Sequence, residues 1–223
     1  MTRHLAFPAL AFALLAFTSA ARAADCVAPR DAKVAVEVEE APIVRDQSFS
    51  YKELSKRSAG LGLGKDGATF GATEAQHATE LAYALRVAPS GSQVCVTTDR
   101  LTVTLKLSIT VHLASELKPG SCLYKAVADH EQRHVDLEHK LLPTAQLRIQ
   151  AALASLGRDG VTGKTSRDAA KAVQDRAWDL VDRALDGFVA ERDRKQAAYD
   201  TPEEYAKLSR RCSKAELRKV LGR

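Results

Sequence analysis

Residues 121–142 read S-C-L-Y-K-A-V-A-D-H-E-Q-R-H-V-D-L-E-H-K-L-L and organise the second half of this 223-residue chain. Apolar side chains recur there at the spacing of one face of an α-helix, namely at Leu123, Val127, Leu137 and Leu141. Gly120 and Ser121 are typical of a helix start, whereas Pro143 is typical of a helix end or a kink. The stretch therefore predicts a helix that packs one face against a core.

Two histidines lie on that same face. His130 and His134 are one helical turn apart, so their Cβ atoms would stand about 5–6 Å apart and both imidazoles could reach one ion. Glu131, one position round the helix, would hold a metal-bound water rather than the metal. These residues form H-E-x-x-H, the motif of zinc metallopeptidases. The other interpretation is a solvated turn, but buried histidines without partners are costly, and the shared apolar face favours a metal site.

The first 23 residues have the features of a secretory signal peptide. Arg3 precedes an apolar run over residues 5–17, and an A-x-A cleavage site ends at Ala23. The run is too short for a permanent membrane span. We therefore expect cleavage after Ala23 and a mature chain, residues 24–223, that is periplasmic or secreted and has no transmembrane segment.

Charge and cysteine count agree with export. Two of the chain's 33 Lys and Arg residues leave with the signal peptide, so 31 basic residues face 28 acidic ones. The resulting net charge of +3 is too small to indicate nucleic-acid binding.

Four cysteines suggest two disulfides in an oxidising compartment. Grouping them by half of the chain predicts Cys26 with Cys95 and Cys122 with Cys212, although the count alone allows three connectivities.

Residues 24–118 are predicted to be β-rich. Apolar and polar residues alternate over 33–39 and 79–87, and most regularly over 101–113, where the pattern indicates a strand with one face in the core. A hairpin turn is expected at 89–92. Ser50 and Glu53 form a capping box that predicts a short helix.

Residues 119–223 are predicted to be α-rich. Beyond the H-E-x-x-H helix, the pattern predicts a long helix over about 166–198 and capped helices after Thr201 and Ser213. The expected fold class is α+β, with N-terminal antiparallel strands and a short helix followed by the helical half.

A catalytic zinc ion generally takes three protein ligands and a water, so a third ligand is needed. Glu138 lies too far along the helix axis to share an ion with both histidines. Glu191 continues the apolar face of the long helix and is the first candidate, although it could instead pair with an arginine such as Arg133. Asp200 is the reserve candidate.

The sequence resembles a secreted zinc-dependent protease family of Gram-negative bacteria, which is zincin-like. Four segments carry the resemblance: P-S-G-S-Q-V-C-V (89–96), L-T-V-T-L-K-L-S-I-T-V (101–111), D-H-E-Q-R-H-V-D-L (129–137) and Q-A-A-Y-D-T (196–201). The resemblance implies a single zincin-like metallopeptidase domain over residues 24–223. It also implies Zn²⁺ bound by His130 and His134, with Glu131 as the general base.

These features together predict an exported zinc metallopeptidase that acts on peptides or proteins of the cell envelope. Tyr199 is a candidate donor to the tetrahedral oxyanion, with Tyr205 as the alternative, and strand 101–113 is a candidate edge for an extended substrate. The alternative is a non-catalytic envelope protein that binds a metal or a partner through a degenerate site.

Overall fold

The computed structural model describes residue 26, residues 32–60 and residues 68–222. The predicted signal peptide, residues 1–23, lies outside this part of the chain. The elements, in chain order, are β1 Lys33–Glu40, β2 Val44–Asp46, α1 Tyr51–Gly60, β3 Gly71–Ser90, β4 Gln93–Leu113, α2 Cys122–Leu153, β5 Val161–Gly163, α3 Ser166–Ala197, α4 Pro202–Arg211 and α5 Lys214–Val220.

A long antiparallel hairpin of β3 and β4 forms the centre of the sheet. Its register runs from Ser90 opposite Gln93 to Gly71 opposite Leu113, and Gly91 has the positive φ of 60° that the turn needs. The alternation predicted over 101–113 is confirmed, because its apolar side chains are buried and its polar ones are partly exposed.

The prediction of an α+β fold with antiparallel N-terminal strands was wrong. β1 runs parallel to β4, from Lys33 opposite Arg100 to Glu40 opposite Leu107, and β2 is also parallel to β4. β5 adds an antiparallel pairing, so the fold is mixed α/β. Alternation shows which face of a sheet a residue takes but not the direction of the neighbouring strand. β3, which follows β1 and β2, takes one edge of β4, and the earlier strands take the other.

The two 32-residue helices α2 and α3 pack with the apolar face of the sheet. Buried side chains from all three elements form one core, including Val103, Leu105, Ile149, Val181 and Phe188. Fully burying a side chain of this size contributes roughly 1.5–3 kcal/mol. α2 continues through Pro143 to Leu153 rather than ending there.

Local signals near the helix starts are confirmed. Ser50 accepts a hydrogen bond from the Glu53 amide while the Glu53 carboxylate accepts from the Ser50 amide, and Ser121 accepts from the Tyr124 amide at the start of α2. These contacts satisfy amides that have no partner within their helices.

Both predicted disulfides are confirmed, Cys26 with Cys95 and Cys122 with Cys212. The second bond joins the start of α2 to the residue after α4. It therefore holds the α4 end of the chain against the helix that carries the H-E-x-x-H motif. Among the described residues, no helix is long and apolar enough to cross a membrane.

Candidate metal centre

The two motif histidines of α2 lie in the interior of the protein. His130 and His134 are 3% and 7% exposed, and their Nε2 atoms are 3.3 Å apart. Their rings meet edge to face, with centroids 4.9 Å apart. The sequence prediction that both side chains share the inward face of this helix is confirmed.

Asp200, in the short turn between α3 and α4, brings a carboxylate to the two imidazoles. Its Oδ1 atom is 3.1 Å from His130 Nε2 and 3.3 Å from His134 Nε2. Two features hold this turn in place: the Asp200 amide donates to the Ala197 carbonyl, and the Thr201 hydroxyl caps α4. Asp200 therefore reaches the histidines because one long helix ends, and the next begins, directly beside them.

The three atoms form a set that can hold a metal ion, and their spacing fits zinc. Zinc bonds to imidazole and carboxylate are about 2.0–2.1 Å long, so the ligand atoms of a tetrahedral ion stand about 3.3–3.4 Å apart. The three distances among these Nε2 and Oδ1 atoms are 3.1–3.3 Å. Two imidazoles and a carboxylate are also a ligand set that catalytic zinc sites use.

Glu191, the first candidate for the third ligand, is not brought to this group. Its carboxylate pairs with Arg148 and with Lys195 Nζ, and these contacts, the Lys195 hydrogen bond foremost, hold its pKa below its usual range. At the level of His134, α3 instead contributes Gln196. Glu191 is five residues earlier, or about 7.5 Å along the helix axis. Five residues also turn the side chain by about 140° round the helix, so Glu191 meets Arg148 of α2 rather than the histidines.

Glu131 is buried beside the histidines with one hydroxyl partner. Its side chain is 4% exposed, and the Thr73 hydroxyl donates to Oε2 over 2.8 Å. Burial raises the pKa of Glu131, and this effect outweighs the opposing influence of the His134 charge and the Thr73 hydrogen bond. Gly71 leaves room for the carboxylate, since a Cβ there would lie 2.6 Å from Glu131 Oε1. The first residues of β3 therefore enclose and orient this carboxylate.

The Nδ1 atoms of the two histidines have different partners. His134 Nδ1 is 2.6 Å from Gln196 Oε1, which is an acceptor. His130 Nδ1 is 2.8 Å from Arg133 Nη2, which is a donor, and Arg133 also donates to Glu204. For His134, burial lowers the pKa, but hydrogen bonds to Asp200 and Gln196 outweigh burial and the net shift is upward.

Tyr199 lies within this group. Its ring packs edge-on against His134, with centroids 5.6 Å apart, and the Arg133 guanidinium lies 5.4 Å from the ring centroid. Tyr199 therefore lies next to a motif histidine. The role of its hydroxyl as a donor to the oxyanion stays a prediction.

A cavity of about 290 Å³ opens beside His130. Three basic and two acidic side chains line it together with the histidine: Arg133, Lys207, Arg211, Asp129 and Glu204. These charges pair with one another, Arg133 and Lys207 with Glu204 and Arg211 with Asp129.

Gln196 and Thr73 were not identified as site residues from the sequence. Gln196 lies four residues before Asp200, which is the spacing of neighbours on a helix surface, but a neutral amide carries no signal by itself.

Comparisons with known proteins do not identify this chain, since no family model, curated protein or solved structure matches it.

Proposed function

We propose that this chain is an exported zinc-dependent metallopeptidase. The observation that carries the proposal is the convergence of His130 Nε2, His134 Nε2 and Asp200 Oδ1 within 3.3 Å of one another. Glu131, the residue that follows His130 in α2, is buried beside them. The resemblance of the four quoted sequence segments to secreted zinc-dependent proteases also supports this proposal.

The three ligand atoms would hold the zinc ion, and Glu131 would act on the proton of the attacking water. When bound, a zinc ion would polarise the scissile carbonyl and lower the pKa of its bound water to ~7. Thr73 holds Glu131 Oε2, so the carboxylate is oriented before substrate arrives. Burial raises the pKa of Glu131, which moves the base toward the pKa that general base catalysis near neutral pH favours.

An extended peptide would bind at β3 rather than at β4. Strand 101–113 lies within β4, which has β3 on one side and β1, β2 and β5 on the other, so it cannot offer the edge that the sequence suggested. β3 pairs only with β4 among the described strands. Its first residues contact Glu131 through Thr73. A peptide that adds to this edge would therefore pass the catalytic carboxylate.

Two disulfides agree with an export destination, since such bonds persist in oxidising compartments. A peptide or protein of the cell envelope is the corresponding substrate class.

A non-catalytic envelope protein that binds a metal or a partner is the second candidate. One observation favours it: the Arg133 guanidinium lies 2.8 Å from His130 Nδ1. A cation next to a ligand imidazole opposes zinc binding, so Arg133 would have to move away from His130 before the site could bind zinc.

The test compares wild type with Glu131→Gln on a broad peptide library at matched zinc loading. The amide keeps the size of the side chain and cannot accept the water proton, so we expect zinc content to be retained and hydrolysis to fall by ~10²–10⁴-fold. Glu116→Gln, a change at an exposed glutamate away from the site, is the matched control and should cleave like wild type. Equal cleavage by wild type and Glu131→Gln, or cleavage by neither, would support the non-catalytic candidate.

A further inference from the structure

A line of buried and partly buried polar side chains extends from His134 away from the candidate metal centre. His134 Nδ1 contacts Gln196 Oε1 at 2.6 Å, and Gln196 Nε2 donates to Glu138 Oε1 at 2.7 Å. Glu138 is 2% exposed although it is a carboxylate. A buried charge of this kind is costly unless it has partners, so the arrangement needs a physical explanation beyond packing.

The contacts of Gln196 determine which way its amide points. Its nitrogen is within hydrogen-bond distance of two acceptors, Glu138 Oε1 and the His134 carbonyl at 3.3 Å. The reverse orientation would place the amide oxygen against both acceptors and is excluded by repulsion. Gln196 Oε1 therefore faces His134 Nδ1, and this nitrogen must be the donor. A neutral His134 then carries its proton on Nδ1, and its Nε2 lone pair is directed at His130 and Asp200.

Two side chains from other elements lie at ion-pair distance from Glu138, and neither completes a hydrogen bond with it. His77 Nε2, on β3, is 3.3 Å from Glu138 Oε2, and Arg192 Nε, on α3, is 3.8 Å from Oε1. Arg192 also donates to His77 Nδ1 at 3.1 Å, which leaves the His77 Nε2 proton facing the carboxylate. Burial raises the pKa of Glu138, but His77, Gln196 and Arg192 outweigh it and the net shift is downward.

We propose that Gln196 is a positioning residue that keeps the proton of His134 on Nδ1 and its Nε2 atom ready for a metal ion. Glu138, whose carboxylate faces His77 and Arg192, keeps the Gln196 amide in the orientation that this requires. Partners of this kind behind a ligand histidine fix its ring and tautomer. The inference rests on the proposed zinc site, and it gives Glu138 a function that differs from metal ligation.

The first measurement is the tautomer of His134 in metal-free protein, read from the ¹⁵N chemical shifts of its imidazole above its titration range. His134→Gln identifies the signal by its loss. We expect the proton on Nδ1 in wild type and a shift toward Nε2, the site that free imidazole side chains prefer, in Gln196→Leu. Gln150→Leu, which also removes an amide that donates to a backbone carbonyl, is the matched control and should leave the signal unchanged.

The second measurement is zinc affinity by competition with a chelator. Gln196→Leu should weaken it by about 10–100-fold, the usual effect of losing a partner behind a ligand. The exchange variant Gln196→Glu with Glu138→Gln should recover most of the loss, because the carboxylate introduced at position 196 accepts from His134 Nδ1 and the amide introduced at position 138 donates to that carboxylate. Gln196→Glu alone places two carboxylates in contact and should destabilise the fold.

A wild-type His134 protonated on Nε2, or a Gln196→Leu protein with an unchanged tautomer, would overturn the proposal. A purely structural role would lower stability and affinity without moving the proton. If wild type binds no zinc, the proposed function fails, and the tautomer spectra still decide the role of Gln196.

Discussion

His130 and His134 lie one turn apart on α2, yet their surroundings differ in the property that matters for ligation. His134 Nδ1 faces the acceptor oxygen of Gln196, which lies on the core-packed helix α3. His130 Nδ1 faces the guanidinium of Arg133, which pairs with Glu204 on α4. A neutral imidazole has one donor and one acceptor nitrogen. The first partner leaves Nε2 ready for a metal ion, whereas the second places a proton on Nε2, directed at Asp200.

The difference shows that residues of one motif are prepared separately by the elements around them. To bind a metal through Nε2, His130 has to move its proton to Nδ1, so Arg133 Nη2 has to withdraw. The Arg133 side chain is 38% exposed, and it can rotate toward solvent. His134 needs no such change, because Gln196 already presents an acceptor oxygen to its Nδ1 atom.

The largest expected effect comes from removing the prepared histidine. Purified wild type without a His-tag should carry about one zinc ion per chain, and His134→Ala should carry essentially none, because a ligand is lost. Elemental analysis measures the content, and circular dichroism checks the fold. His139→Ala is the matched control, since His139 lies on the same helix but pairs with Glu40 near the surface. Equal zinc in wild type and His134→Ala would exclude the site.

The next effect separates Asp200 from Glu191. Asp200→Asn keeps the shape of the side chain but removes the charge that faces both histidines, so zinc affinity should fall by about 100-fold or more, beyond the loss expected for a partner behind a ligand. Glu191→Gln should change affinity by less than about 2-fold, because it breaks only partly exposed ion pairs. Isothermal titration with zinc provides both values. The opposite ranking would restore Glu191 as the third ligand.

The smallest effect tests the partner of His130 directly. Arg133→Ala removes the donor at Nδ1 and a positive charge, so zinc affinity should rise by roughly 3- to 10-fold, which is the scale of a partly exposed charged hydrogen bond. Arg211→Ala is the control, since Arg211 lines the same cavity but pairs with Asp129. Chelator competition measures the change. Unaltered or weaker binding in Arg133→Ala would show that the guanidinium does not oppose the metal.

Local structure was predictable from the sequence where one segment contains all the information. The alternation over 101–113 requires only that one face of a strand be buried, and the capping contacts of Ser50 with Glu53 involve residues three positions apart. The H-E-x-x-H spacing likewise places His130 and His134 together on any helix. The direction of β1 and the position of α3 beside α2 depend on distant segments. The direction was predicted incorrectly, and the choice between Glu191 and Asp200, which depends on that position, was left open.

By itself, the sequence determined the strand over 101–113, the helices with their caps, and the pair of inward histidines, because these follow from periodicity and from contacts within one turn or one strand. Only the tertiary structure decided that Asp200 meets the histidines, that β1 and β2 run parallel to β4, and that the two imidazoles have opposite partners. Each of these depends on where one element stops against another. That position is set by the packing of the whole core, and no short stretch of residues contains it.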